Sequence, residues 1–122
     1  MADEQTYQTD VWILDSVASY HICKHREWFT TYEQVDGGNI SMANSVVCKA
    51  VGIGSIKLRT HDGKFCTLTD VRHVPQMTKN LISLSLLDSK GFSFNGEGGV
   101  LYVCKGSTVV LKGVKCGTLY LL

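Results

Sequence analysis

Only one proline, Pro75, interrupts these 122 residues, and no run of apolar residues is long enough to cross a bilayer. Neither sign of charge dominates: 12 Lys and Arg against 11 Asp and Glu leave a formal charge of +1. With acids and bases interspersed, the chain offers neither a basic nucleic-acid groove nor a polybasic membrane patch, so neither partner is expected. The five cysteines (Cys23, Cys48, Cys66, Cys104, Cys116) are odd in number, widely spaced and include no Cys-x-x-Cys pair. There is also no charged leader with an apolar core of the secretory kind. These absences predict reduced thiols, several of them buried in strands, and an intracellular protein, cytoplasmic or nuclear. Gly52-Ile53-Gly54 lacks the third glycine and the following helix of a dinucleotide loop, and no nucleophile elbow surrounds Ser19. No cofactor is expected.

What is present points to a small β protein. Apolar residues are 44% of the chain and charged residues 19%, enough for one globular domain that buries roughly two-thirds of its unfolded surface. Residues 1–9 are polar and read as a flexible leader, leaving 10–122 as the domain. Strands are expected at Asp10 to Leu14, around Ile40, at Val46 to Val51, Ser55 to Thr60, Phe65 to Val71, Gly91 to Phe94, Val100 to Cys104, Thr108 to Leu111 and Leu119 to Leu122. Asp62-Gly63 supplies the positive φ of a hairpin turn. Cys23 to Tyr32 reads as a short helical turn whose aromatics pack on the strands. A single helix is expected from Leu81 to Lys90, capped by Asn80 and ended by Gly91, with its leucines in the core. Many short strands and one helix near 81–90 predict a small closed β-barrel of antiparallel strands.

Two local patterns carry chemistry. His21, Cys23 and His25 form His-x-Cys-x-His, which on a strand would face one side and offer zinc-type ligands. Its spacing matches no common zinc site, and a structural histidine beside a small buried thiol is the favoured reading, so no metal is expected. The second pattern is Asp15-Ser16-Val17-Ala18-Ser19, directly after the apolar run Val11-Trp12-Ile13-Leu14. An apolar strand ending in Asp-Ser/Thr-Gly-Ala/Ser is how an aspartic peptidase presents its carboxylate. Two such carboxylates share one proton, because like charges at close range cannot both ionise. This chain has one such motif, so it can assemble the pair only as a symmetric homodimer. The residues alone leave open an exposed Asp-Ser turn with no catalytic role.

The wider text resembles the protease segment of Ty1/copia-type retrotransposon Pol polyproteins, plant ones above all. The resemblance rests on Trp12-Ile13-Leu14-Asp15-Ser16, Ala18-Ser19 with His21, Gly52-Ile53-Gly54, Leu68-Thr69-Asp70-Val71-Arg72-His73-Val74-Pro75 and Asn80-Leu81-Ile82-Ser83. Leu119-Tyr120-Leu121-Leu122 is similar to the start of the region that follows in such polyproteins. The resemblance implies a retropepsin-like fold and a homodimeric endopeptidase that cuts its own polyprotein. It implies Asp15 as the catalytic carboxylate, Ser16 as the motif hydroxyl and a substrate flap at Met42, Ala43 and Asn44. Two departures stand out: Val17 and Ala43 each replace an expected glycine. A β-branched Val17 would crowd the partner's Asp15, and any requirement for positive φ would strain it. The expectation is therefore an impaired peptidase retained as a protein-binding or scaffold module, with the working endopeptidase as the alternative.

Overall fold

The structure, a computed structural model, describes residues 11–41, 46–60 and 63–122. In chain order the elements are β1 (Trp12–Asp15), β2 (His21–Cys23), a 3-10 turn at Arg26–Trp28, β3 (Phe29–Gln34), β4 (Asn39–Ser41), β5 (Val47–Lys49), β6 (Gly52–Arg59) and β7 (Phe65–His73). Then follow β8 (Asn80–Ser83), the helix α1 (Leu84–Ser89), β9 (Ser93–Glu97), β10 (Val100–Lys105), β11 (Thr108–Cys116) and β12 (Leu119–Leu121). Ten strands form one sheet in the order β3-β6-β7-β2-β8-β1-β12-β11-β10-β9, and β4 pairs with β5 as a separate hairpin. Phe29 of β3 and Phe94 of β9, at opposite ends of that order, pack on the same apolar cluster, so the sheet curls around a shared core. The expected mostly-β barrel with one short helix is what forms.

The centre of the sheet explains its sequence. β1 is flanked by β8 and β12 and buried on both faces. Trp12 and Leu14 enter the larger core with Phe29, Ile56, Leu68, Val71, Ile82 and Leu111, while Ile13 enters a smaller one with Ile22, Ile40, Val74 and Leu81. A strand covered on both faces needs an unbroken apolar run rather than an alternation, which is what Trp12-Ile13-Leu14 supplies.

Contrary to the expectation of antiparallel strands, not every pairing is antiparallel. β1 pairs parallel with β8, and β2 parallel with β7. β8 also pairs antiparallel with β2, so it threads between two strands that are consecutive in sequence. Parallel neighbours lack a connecting turn, and nothing local in the sequence announces them.

The helix is shorter than expected and begins at Leu84. Asn80–Ser83 is a fully buried strand, with Leu81 and Ile82 pointing into different cores. A short apolar run fits a buried strand or a helix equally well by periodicity. Ser83, not Asn80, is the N-cap: its hydroxyl accepts from the Leu86 N–H at 3.0 Å. The Asn80 side chain instead receives the Lys24 N–H at 3.0 Å and donates to the Val11 carbonyl at 3.3 Å. Gly91 ends the helix as expected, at φ +91° with its N–H on the Asp88 carbonyl.

Trp28, Phe29 and Tyr32 pack down on the core as anticipated, though Phe29 and Tyr32 do so from a strand. Gly52 and Gly54 are where β3 and β6 approach most closely. A Cβ on Gly54 would run into the Thr31 carbonyl oxygen, and one on Gly52 into the Tyr32 ring. Opposite this stretch β7 bulges: pairing runs Gly54 with Val71 and then Ile56 with Leu68. Asp70, in the bulge, has φ +58°. Lys90 pins it from the end of α1, donating to Asp70 Oδ2 and Thr69 Oγ1 at 2.8 Å each. The anticipated turn at Asp62-Gly63 has Gly63 at φ +86°; Asp62 lies outside the described residues, as do His61 and the expected leader 1–9.

Replacing Gly54 with Ala is expected to destabilise the fold by about 1–3 kcal/mol, because a backbone oxygen must give way. Urea denaturation midpoints of the two proteins would show it, and an unchanged midpoint would mean that β3 is not held this close.

Candidate functional site

β1 delivers Asp15 to its last position, half-buried, opposite Ser83 in the parallel register. The chain then turns sharply, and the N–H groups of Val17 (2.8 Å) and Ala18 (3.3 Å) both donate to Asp15 Oδ1. Two backbone donors on one oxygen fix the carboxylate's orientation without spending a side chain on it. The turn is tied down from behind. Ser83 Oγ donates to the Ala18 carbonyl at 2.6 Å while it caps α1. The Ser83 N–H donates to His21 Nδ1 at 2.9 Å.

Asp15 faces a cleft of about 530 Å³ formed by the turn residues Val17 to Tyr20, by Ile22 and Leu81, and by Asn39, Ile40 and Ser41 of β4. The β4–β5 hairpin thus forms the wall facing the Asp15 turn. Its tip, with the expected flap residues Met42, Ala43 and Asn44, lies outside the described residues. Ser16 is exposed and contributes with Asp15 to a second hollow, on the far side of β1, with Leu84, Leu101, Leu119 and Tyr120. Val17 is 86% exposed. Asp70 is the one non-glycine residue with positive φ among the described residues, so Val17 sits in the turn without backbone strain. The expectation that Val17 would strain the backbone therefore does not hold.

A family model described as the Pol polyprotein β-barrel domain matches residues 12–92, about two-thirds of the chain. The chain belongs to the Pol polyprotein β-barrel domain family. The chain is similar to the retrovirus-related Pol polyprotein from transposon TNT 1-94 of Nicotiana tabacum, 40% identical over 109 residues. That match takes in 89% of this chain and 8% of the relative, so the domain spans a small part of that polyprotein. No solved structure matches.

Within this Pol β-barrel domain, His21 is bonded apart from Cys23 and His25, which contact each other. His21 is fully buried and receives the Ser83 N–H. Cys23 Sγ receives the His25 N–H at 3.4 Å, and burial pushes the thiol up to about 12. His25 lies beyond the end of β2, its ring 4.2 Å from that of Trp28 and its Nδ1 3.4 Å from Glu27. His73 Nδ1 meets the Tyr32 hydroxyl at 2.8 Å, and burial lowers its pKa.

The residues that the sequence did not mark are Ser83 and the acceptor role of His21. A bare Nδ1 places the proton of the neutral ring on Nε2, which is buried with no hydrogen-bond partner among the described residues. Burial first, and the Lys90 cation second, lower the His21 pKa to about 4, against a smaller opposing effect of Asp70. A protonated His21 would also lose the Ser83 N–H bond and loosen the knot behind Asp15.

Below pH about 6.5 the unfolded chain binds a proton on His21 that the folded chain refuses until about pH 4. Stability is therefore full above this window and falls as acid is added through it, by roughly 3 kcal/mol at most. His73 adds in the same direction; Asp70, held low by Lys90, loses its contribution only in stronger acid. Urea midpoints taken from pH 7.5 to 4 should track this decline, and His21→Asn, which keeps an acceptor but takes no proton, should flatten it. Equal slopes in the two proteins would remove His21 as the cause.

Proposed function

We propose that this domain is a copia-type aspartic protease-like module whose cleft binds a polypeptide segment and whose catalytic power is impaired. The observation that carries the reading is the Asp15 carboxylate, set at the end of a doubly buried strand, oriented by two backbone N–H groups and opening on a largely apolar cleft beneath a β-hairpin. Such a cleft suits an extended chain with an apolar side chain. Catalysis needs more. One Asp15 cannot share a proton with itself, so a second copy must bring its own turn against this one. The side chain that meets the second copy first is Val17, almost wholly exposed where a glycine would leave room. A displacement of about 1 Å between reacting groups costs roughly a hundredfold in rate. Self-association, if it occurs, then leaves a poor dyad, and the cleft serves to hold a protein partner. The reading places the domain inside the cell, where its five thiols stay reduced.

One observation favours the alternative, a working homodimeric endopeptidase acting on a Pol polyprotein. The turn carrying Asp15 is unstrained and keeps both N–H contacts despite Val17. By resemblance the flap would be Met42, Ala43 and Asn44, with Ser16 bracing its symmetry mate.

Cleavage of polyprotein-derived peptides near pH 5, with sedimentation velocity on the same samples, separates the two readings. The expectation is no cleavage by the wild type, measurable cleavage by Val17→Gly and none by Asp15→Asn. Wild-type cleavage that Asp15→Asn abolishes would establish the alternative. A monomer that never cleaves, even as Val17→Gly, would remove peptidase chemistry from the isolated domain.

A further inference from the structure

Tyr20 lines the cleft and is 39% exposed. Over its ring lies the Arg72 guanidinium, Cζ 3.7 Å from the centroid. Arg72 stands on β7 in register with Ile22 of β2, one strand out from the cleft wall. It is half-buried, and among the described residues its side chain makes no ion pair or hydrogen bond, though its charge helps to hold the Asp70 carboxyl low. The neighbouring carboxylate is already taken, since Asp70 is held by Lys90 at 2.8 Å. A guanidinium stacked on a ring is satisfied on its face only; its five N–H donors radiate in the plane and remain to be used. Partial desolvation of a guanidinium whose donors are unfilled is costly, and a carboxylate arriving there would recover that cost through paired charge-assisted hydrogen bonds.

The arrangement is fixed by backbone, not by a mobile side chain. Tyr20 lies in the loop that follows Asp15, and Arg72 follows His21 and Ile22 through the parallel β2–β7 register. The cleft therefore pairs a carboxylate at Asp15 with a guanidinium plate behind Tyr20, separated by the apolar surface of Ala18, Ile22, Ile40 and Leu81. An occupant complementary to both is an extended chain with an apolar side chain in the cleft and an acidic side chain beyond it, away from Asp15.

We propose that Arg72, held flat by Tyr20, is a carboxylate-recognising subsite at the rim of the cleft and selects polypeptide segments carrying an acidic residue near an apolar one. The proposal rests on the reading of the cleft as a polypeptide site.

The test is affinity selection at pH 7.5 from a library of C-terminally amidated octapeptides with two central apolar residues and Glu or Gln elsewhere. Amidation leaves the side chain as the only source of carboxylate. The expected result is retention that depends on the apolar pair and favours Glu over Gln at one position by roughly tenfold. Arg72→Gln should erase the Glu preference and leave the apolar one, while Arg72→Lys keeps a weaker preference. Circular dichroism melts confirm that each variant is folded, and on the wild type alone about 0.5 M salt should narrow the preference. Apolar selection with no Glu preference, or a preference intact in Arg72→Gln, overturns the subsite and leaves the cleft reading standing. No retained peptide at all overturns the cleft reading, and the subsite with it.

Discussion

The threading of β8 between β1 and β2 is the constraint on which the rest of this molecule depends. Ser83, its last residue, is where three demands meet. Its N–H goes to His21, its hydroxyl proton to the Ala18 carbonyl, and its hydroxyl lone pair to the Leu86 N–H. One fully buried serine thus joins β2, the turn that carries Asp15 and the start of the helix. The N–H and the hydroxyl of this serine are both satisfied, and such a network rigidifies what it touches. Remove β8 and the Asp15 turn loses its anchor, the helix its cap and His21 its hydrogen-bond partner.

That knot also shows what the side chain of Ser83 adds. A glycine there would offer backbone alone, whereas the hydroxyl adds two bonds, one of them to the segment that orients Asp15. The support for the carboxylate is thereby built from outside the turn. This makes the turn less dependent on its own residues, and it explains how Val17 occupies it with an ordinary backbone.

Much of the fold was legible because its signals are local. Trp12-Ile13-Leu14 announces a doubly buried strand, Gly91 a helix end, and Asp62-Gly63 the reversal that pairs β6 with β7. What escaped depends on distant partners. Leu81-Ile82 fits a helix or a strand until β1 and β2 are placed on either side of it. Asn80 is a plausible cap until Lys24 and Val11 claim its side chain. Asp15 was legible as a motif, but the turn that orients it is tied down by residue 83, far away in sequence. Arg72 looked like one charge among many, because its stacking on Tyr20 arises from a parallel register that no turn encodes.

The same knot sets a conflict for any peptidase chemistry. A pair of carboxylates that shares one proton works in acid, where one of the two can hold that proton. The anchor behind Asp15 asks for the opposite. His21 must stay neutral to accept from Ser83, and burial together with Lys90 resists its protonation only down to about pH 4. Between about pH 6.5 and 4 the fold is thus spending stability as the dyad would be gaining competence. A second copy would relieve the conflict by adding interface energy, since anything that binds the folded chain alone raises its stability. A binding module that works near neutrality meets no such conflict.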